Sequence, residues 1–161
     1  MTIRPFSIND AKKLLEIYSY YVLETTVSFE YQVPSSNSFN NRCLEISKNY
    51  PFYVLEIEGE IKGYAYANRF RGRKAYDFTV EISVYLQKEA KNRGLGSKLY
   101  HKLFKELTKE GFKEVIAVIT LPNTESFHFH EKNGFQYAGK LLRAGFKFEK
   151  WWDIAFFQKS L

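Results

Sequence analysis

The stretch Glu81–Tyr100, with the sequence EISVYLQKEAKNRGLGSKLY, decides how this chain folds and where it binds. Val80–Leu86 is rich in β-branched and aromatic residues, which is typical of a strand. A polar turn follows, and Gly94 and Gly96 lead into a segment where leucines recur every fourth residue from Leu95. That spacing places the leucines on one helix face, so the sequence predicts a strand, a glycine turn and an amphipathic helix.

A strand that enters a helix through a glycine-rich turn is suited to binding an anion. The first amide N–H groups of a helix have no partner within the helix, and the helix dipole places partial positive charge there. Glycine lets the backbone approach a ligand closely because it has no Cβ. Lys91, Arg93 and Lys98 add full positive charges, so the turn is predicted to bind phosphate.

Two familiar phosphate loops do not fit this spacing. A Walker loop ends in Gly-Lys-Ser/Thr, whereas the order here is Gly96-Ser97-Lys98. A dinucleotide fingerprint requires a third glycine, and Leu99 stands in that position. The alternative to a phosphate site is that the turn is a purely structural connector between strand and helix. The surrounding segments are needed to distinguish these two interpretations.

Length and composition limit the classes of protein. The chain has 161 residues, which suits one domain with its own core, and no apolar run approaches the roughly 20 residues of a membrane span. The N-terminal residues lack the apolar stretch of a signal peptide. The single cysteine, Cys43, excludes an internal disulfide framework, favours a reducing cytosol and is expected to be a core residue. The three histidines lack metal-ligand spacing, so no metal is expected.

The formal net charge is +6, and part of it is concentrated in two clusters, Arg69–Lys74 and Lys88–Lys109. Two basic clusters on either side of the central strand favour two anionic groups on the ligands.

The remaining segments predict a mixed central sheet. In chain order the expected elements are a strand Thr2–Phe6, a helix from the capping box Ser7/Asp10 to about Leu23, a loop or edge segment Glu24–Glu30, a helix Ser38–Lys48, a hairpin of Phe52–Ile57 and Ile61–Ala67, the central strand Tyr76–Leu86, the glycine helix, a strand Glu114–Leu121, a short helix ending at Lys132, a strand from Phe135, a loop Ala144–Lys150 and a last strand Trp151–Gln158.

The strand Glu114–Leu121 is almost wholly apolar, which suits parallel pairing with burial on both faces. A strand–helix–strand crossover of this length places it parallel to the central strand. The expected fold class is therefore α+β, with a mixed sheet covered by helices on both faces. Ligands of such sheets bind at the carboxyl ends of parallel strands, where the glycine turn and Asn123 both fall.

Three segments resemble the Gcn5-related N-acetyltransferases, or GNAT enzymes. Lys91–Gly96 resembles their pyrophosphate loop, usually written Arg/Gln-x-x-Gly-x-Gly/Ala, with a lysine first that keeps the charge. Val118–Asn123 is similar to their buried strand ending in asparagine, and Ser126–Phe135 to the helix that closes the cofactor site. Within this superfamily nearly the whole chain resembles the phosphinothricin acetyltransferases and the methionine sulfoximine and sulfone acetyltransferases, most clearly at Ala75–Glu81.

The resemblance implies a single N-acetyltransferase domain over residues 1–161, acetyl-CoA as co-substrate, no metal, a homodimer and a cytoplasmic location. The amides of Asn92–Ser97 would bind the pyrophosphate. The strand edge at Val84–Leu86 would pair with the pantetheine arm, because the two parallel strands splay apart there. The implied cofactor-binding residues are Val84, Tyr85, Leu86, Lys91, Asn92, Arg93, Gly94, Leu95, Gly96, Ser97 and Asn123.

Two residues are the candidates for proton transfer. Glu81 lies within an apolar run, and an inward orientation would raise its pKa and suit it to accept the amine proton; a solvent-facing glutamate is the alternative. The matching context Tyr-Asp-Phe-Thr-Val-Glu favours the base. His130 stands on the closing helix where many of these enzymes have a tyrosine, and either donates a proton to the leaving thiolate or is a hydrogen-bonded packing residue.

The acceptor is expected to carry a carboxylate beside its amine, which an arginine fork suits. The implied substrate-binding residues are Phe29, Arg71, Arg73, Lys74, Tyr76 and Thr79, with Arg73 as first choice; a solvated loop is the alternative. Phe146, Trp151 and Trp152 indicate either a buried dimer surface or core filling.

Three functions stay open from the sequence. The first is acetylation of a small amino acid analogue, by direct transfer in a ternary complex, with neither nucleic acid nor membrane as partner. The second is acetylation of a protein or peptide amine. The third is a basic RNA-binding or CoA-sensing module without turnover, although no ribonucleoprotein-type aromatic motif is visible.

Overall fold

The computed structural model describes residues 1–91 and 93–161. In this part of the chain the elements are β1 (Thr2–Pro5), α1 (Ala11–Glu24), α2 (Ser36–Asn49), β2 (Phe52–Ile57), β3 (Glu60–Arg69), β4 (Thr79–Leu86), α3 (Leu95–Lys109), β5 (Glu114–Leu121), α4 (Thr124–Lys132), β6 (Gln136–Lys147) and β7 (Lys150–Ser160), with short 3₁₀ turns at Ile8–Asp10, Lys74–Tyr76 and Lys88–Ala90. None of the described helices is long and apolar enough to cross a membrane.

The strands form one sheet in the order β1-β2-β3-β4-β5-β7-β6. The β4–β5 pair is parallel, and the other five neighbouring pairs are antiparallel. The predicted α+β class, with a mixed sheet and two adjacent parallel strands, is therefore confirmed.

The sheet opens between its two parallel strands. β4 and β5 pair only from Thr79↔Glu114 to Glu81↔Ile116, although both strands continue to Leu86 and Leu121. Over that remainder β3 stays paired with β4 and β7 stays paired with β5. A cleft with strand backbone on its walls therefore begins directly after Glu81.

Helices cover both faces of the sheet. The α3 leucines, every fourth residue from Leu95 to Leu107, are buried against Val80 and Ile82 of β4. On the opposite face α1 and α2 pack on an aromatic cluster that includes Tyr85. Fully burying a leucine contributes about 1.5–3 kcal/mol, so the predicted α3 stripe is a large part of the core.

The N-terminal capping box forms as predicted. The Ser7 amide donates to the Asp10 carboxylate at 2.8 Å, and Arg4 donates to the same carboxylate at 2.8 and 2.9 Å. Burial by itself would raise the pKa of Asp10, but these hydrogen bonds outweigh it, and the pKa lies below its usual value. The box closes a 3₁₀ turn that leads directly into α1.

Two predicted boundaries are wrong. The central strand begins at Thr79 rather than Tyr76, because Lys74–Tyr76 forms a 3₁₀ turn. The expected loop Ala144–Lys150 is instead mostly strand: β6 runs to Lys147, and Phe148 and Glu149 alone make the turn, with φ of 52° and 59°. Positive φ at both central residues is typical of a tight hairpin turn.

Candidate active site

The cleft between β4 and β5 has a volume of about 420 Å³. Its walls come from the open edge of β4, the glycine turn, α4 and the loop after α1. The lining residues are Tyr21, Val27, Val84, Leu86, Lys91, Gly94, Leu95, Gly96, Ser97, Asn123, Glu125, Ser126, His128, Phe129 and Lys132. Eight of the predicted cofactor-binding residues therefore lie together, and Asn92 lies outside the described residues.

The glycine turn is shaped for close packing at the start of α3. Gly94 precedes the helix with φ of 70°, in the left-handed region that favours glycine. A Cβ on Gly96 would stand 3.0 Å from the Phe129 ring, so this glycine lets α3 approach α4. The Lys91 ammonium lies 5.1 Å from the Tyr21 ring centroid. Arg93 is exposed and does not line the cleft.

One tyrosine hydroxyl occupies the place of a neighbouring strand at Leu86. The Tyr21 hydroxyl donates to the Leu86 carbonyl at 2.6 Å and accepts from the Leu86 amide at 3.1 Å. Val84 lines the same cleft, whereas the side chain of Tyr85 is buried on the opposite face. Sequence reasoning missed Tyr21 because it lies on the apolar stripe of α1; the signal was its hydroxyl, which needs a partner when buried.

Asn123 joins β5 to α4 at the rim of the cleft. Its Oδ1 accepts from the Ser126 amide at 3.0 Å, which caps the first turn of α4. The residue therefore both lines the cleft and fixes the direction of the helix that closes it.

Glu81 lies where the sheet opens. It is the last β4 residue in register with β5, and its partner on β3 is Asn68. Its side chain is half-buried, and burial raises the pKa of the carboxyl despite the opposing charge of Arg71. A carboxyl with a raised pKa at the base of a cleft is suited to proton transfer.

His130 is buried rather than directed into the cleft. It is 4% exposed, its Nδ1 lies 2.7 Å from the Ser126 carbonyl, and its Nε2 lies 3.1 Å from the Tyr100 hydroxyl. A carbonyl only accepts, so Nδ1 carries the proton and Nε2 accepts from Tyr100. Burial lowers the pKa of His130, which keeps the imidazole neutral. These contacts favour the packing alternative, in which His130 links α4 to α3.

A second cavity, of about 740 Å³, lies on the α2 side of the sheet. It is lined by Arg42, Glu45, Ile46, Asn49, Tyr50, Tyr66, Asn68, Arg69, Arg71, Tyr76, Asp77, Thr79 and Phe112. Thr79 and Glu81 share this face because strand residues alternate. Arg71, Tyr76 and Thr79, three predicted substrate-binding residues, therefore meet beside Glu81.

The other three predicted substrate-binding residues lie apart from this cavity. Arg73 and Lys74 are exposed, and Phe29 packs against Gly145 of β6. Sequence reasoning missed Arg42, a cavity residue from α2 that pairs with Glu30 at 2.6 Å. No local pattern marked Arg42, because the α2 side of the cavity is brought to β4 only by the tertiary fold.

Comparisons with known proteins agree with this geometry. A family model described as an acetyltransferase (GNAT) domain matches residues 3–156. The phosphinothricin N-acetyltransferase of Streptomyces viridochromogenes is 38% identical over 158 residues, covering 98% of this chain and 86% of that protein. The chain therefore belongs to the GNAT acetyltransferase family, and the predictions of family and enzyme class are confirmed.

Two solved structures have the same fold. The phosphinothricin acetyltransferase of Sinorhizobium meliloti, in complex with AcCoA, superposes with a TM-score of 0.95 at 38% identity, covering 99% of this chain and 88% of that one. The ribosomal-protein-alanine N-acetyltransferase of Brucella melitensis superposes with a TM-score of 0.97 at 30% identity, covering 100% of both chains. The fold is thus shared by enzymes named for a small acceptor and for a protein acceptor.

Proposed function

We propose that this protein transfers the acetyl group of acetyl-CoA to the amine of a small amino acid analogue of the phosphinothricin or methionine sulfoximine type. The observation that carries the proposal is the loss of β4–β5 pairing directly after Glu81. As a result, the half-buried Glu81 carboxyl lies between two spaces. One is the cleft, which is walled by the β4 edge and the N-terminus of α3, and the other is the basic cavity on the other face of the sheet.

The cleft residues suit the shape of acetyl-CoA. Amides at the start of α3 bind the pyrophosphate, and the positive end of the helix dipole favours its charge. Lys91 and Lys132 add positive charge along the cleft. The open backbone of Val84 pairs with an amide of the pantetheine arm, as an added strand would.

Glu81 acts as the general base. Acetyl-CoA supplies a thioester whose carbonyl carbon accepts the amine. The α-amine at a chain terminus has a pKa near 8, and the amine of a free amino acid is more basic still, so the acceptor amine is mostly protonated at neutral pH. A carboxylate must therefore remove a proton, directly or through a water. Glu81 takes one proton from the protonated amine. The neutral amine then forms the C–N bond as the C–S bond breaks, and the second proton lost by the nitrogen passes to the departing CoA thiolate, which leaves as the thiol.

Arg71 binds the acidic group of the acceptor. It lines the basic cavity, its charge acts on the Glu81 carboxyl, and its guanidinium lies 5.2 Å from the Phe70 ring centroid. A guanidinium held in this way presents two N–H groups to a carboxylate or phosphinate. Arg71 has better support than Arg73, the first choice from sequence, because Arg73 does not reach the cavity in this structure.

Acetylation of a protein or peptide amine is the second candidate. It is favoured by the likeness to the ribosomal-protein-alanine N-acetyltransferase and by a cavity large enough for a chain end. Arg69 and Arg71, which line that cavity, favour a small anion instead.

Three further properties belong to the same proposal. The whole chain acts as one domain, as a homodimer, in the cytosol. The exposed rings of Phe146 and Trp151, 5.2 Å apart between centroids, support a partner surface on the β6–β7 hairpin.

The buried Cys43, whose pKa burial raises to about 12, supports a reducing compartment and excludes an acyl-cysteine route.

Thiol release from acetyl-CoA, followed spectroscopically, tests the proposed function. The acceptor panel contains phosphinothricin, methionine sulfoximine, methionine sulfone, common amino acids and a peptide with an N-terminal alanine. We expect the phosphinothricin or sulfoximine acceptor to show the highest kcat/KM. A higher kcat/KM with the peptide would replace the proposal by the second candidate, and no release with any amine would contradict both.

A further inference from the structure

Lys147 is a buried lysine to which the proposed reaction gives no role. It is 3% exposed, and its ammonium donates to the carbonyls of Val22 at 2.6 Å, Thr25 at 2.8 Å and Ser28 at 2.6 Å. An ammonium has three donors, so all of them are used. Lysine is almost never this deeply buried unless it is paired, because desolvating the charge is costly.

The three carbonyls belong to one segment, the end of α1 and the loop that follows it. Val22 lies in the last turn of α1, where carbonyls have no partner within the helix and the dipole favours a cation. Thr25 and Ser28 lie in the loop. Lys147 of β6 therefore fastens residues 22–28 to the distant β6–β7 hairpin.

Three further contacts hold the same loop. The Phe29 ring lies against Gly145, where even a Cβ would stand 2.1 Å from its Cε2 atom. The Tyr31 hydroxyl donates to the Phe146 carbonyl. The Thr120 hydroxyl donates to the Thr26 carbonyl at 2.6 Å. Consecutive residues of β6, Gly145 to Lys147, thus each contact this loop.

The loop lines the β4–β5 cleft and is linked by hydrogen bonds to the basic cavity. Val27 lines the β4–β5 cleft, and the Ser28 hydroxyl donates to the Tyr18 hydroxyl at 2.8 Å. Tyr18 also donates to Glu30 at 2.6 Å, and Glu30 pairs with Arg42, which lines the basic cavity. A shift of this loop would therefore move groups on both sides of the Glu81 carboxyl.

We propose that Lys147 is a positioning residue that holds the loop 25–31 in place, so that the acceptor amine is aligned with the acetyl group. The inference rests on the proposed function. Catalytic alignment is sensitive to displacements of about 1 Å, which cost as much as 100-fold in rate, and a loop fastened by one ammonium is a point where such a displacement arises.

The test compares Lys147→Met with Lys150→Met. Methionine keeps a long side chain and removes the ammonium, and Lys150 is an exposed lysine of the same hairpin that serves as the matched control. Hydrogen exchange of the peptide covering residues 25–31 is measured first, without ligands. We expect exchange to be about 10-fold faster in Lys147→Met and unchanged in Lys150→Met.

Steady-state kinetics with phosphinothricin and acetyl-CoA follow. In Lys147→Met we expect kcat/KM for the acceptor to fall about 10- to 100-fold, through both a lower kcat and a higher KM, while the Kd of acetyl-CoA changes less than about threefold. A loss of folded protein alone would lower the apparent kcat, but it would leave the acceptor KM and the Kd of acetyl-CoA unchanged. Unchanged exchange in folded Lys147→Met, or an unchanged acceptor KM, would overturn the proposal.

Thr120→Val keeps the test decisive if Lys147→Met does not fold. It removes one hydroxyl tie to the same loop, and we expect a smaller change in the same direction, about threefold in exchange and in acceptor KM. No change in Thr120→Val would then overturn the proposal. If the wild type acetylates none of the acceptors, the proposed function fails, while hydrogen exchange still decides whether Lys147 holds the loop.

Discussion

At the residue scale, the Tyr21 hydroxyl covers the backbone edge of the cleft at Leu86. It satisfies both backbone groups of Leu86, at 2.6 and 3.1 Å. An amide of the pantetheine arm is a strand-like partner for the same two groups. If the arm pairs with this strand edge as proposed, the hydroxyl and the arm compete for Leu86, and we expect the hydroxyl to move aside when acetyl-CoA binds.

Tyr21→Phe tests this competition. Removing the hydroxyl leaves two backbone groups without a protein partner, so we expect the cofactor-free protein to lose about 1 kcal/mol of unfolding free energy. Acetyl-CoA supplies those partners, so its stabilising effect in a thermal-shift titration should be larger in Tyr21→Phe than in the wild type. Tyr20→Phe, next to it on α1, is the control. An equal or smaller ligand-induced shift in Tyr21→Phe would contradict the competition.

Some site residues could be predicted from the sequence, and others could not. The apolar run around Glu81 favours an inward-facing carboxyl, and the side chain lies half-buried at the sheet opening. The sequence favours Arg73 over Arg71 in the same basic loop, but Arg71 is the one that lines the cavity, because the path of the 3₁₀ turn that follows decides which guanidinium reaches it. The hydrogen bond between His130 and Tyr100 cannot be predicted from local sequence either, because the two residues lie 30 positions apart along the chain.

At the element scale, the glycine turn and its two parallel strands could be predicted because their signals are local. The leucine period marks α3, and the apolar run marks β5. The β6–β7 hairpin could not be predicted in the same way. Gly145 suggested a loop, yet it lies in a strand, because Phe29 from the other end of the chain occupies the space of its side chain.

The start of α1 carries a pH-dependent contribution to stability. The pKa of Asp10 is lowered in the folded protein, so its carboxylate stabilises the fold at pH values above its unfolded pKa of about 3.9. That contribution is lost as the pH falls through the lower folded pKa.

We therefore expect Asp10→Asn to lower the unfolding free energy by about 1–2 kcal/mol at pH 7. The difference from the wild type should shrink progressively below about pH 4, as Asp10 becomes protonated in the wild type. Urea titrations from pH 7 to pH 3 measure it, with Asp77→Asn, in the loop before β4, as the control. A difference that stays constant down to pH 3 would contradict the assigned pKa direction.

At the scale of the whole molecule, the β6–β7 hairpin exposes apolar side chains that the core does not use. Leu141, Leu142, Phe146, Phe148 and Trp151 are each between 45% and 66% exposed. Exposed apolar residues clustered on one hairpin favour association with a partner. A second copy of the chain is the partner in the proposed homodimer.

Sedimentation velocity tests the dimer. We expect the wild type to sediment as a dimer at micromolar concentration, and Trp151→Ser to shift toward monomer, because the exposed ring is the larger of the Phe146–Trp151 pair. Leu23→Ser, an exposed apolar residue on α1, should leave the sedimentation coefficient unchanged. A monomeric wild type, or a Trp151→Ser variant that stays dimeric, would contradict the assignment of this surface.

Glu81, at the point where the sheet opens, is the proposed acceptor of the amine proton. The most direct measurement is thiol release by Glu81→Gln, together with its affinity for acetyl-CoA and with Glu58→Gln, an exposed turn glutamate, as control. We predict that kcat falls about 100- to 10,000-fold, the range of general-base catalysis, while the Kd of acetyl-CoA stays within about threefold. A Glu81→Gln variant that is folded and retains wild-type kcat would contradict the account.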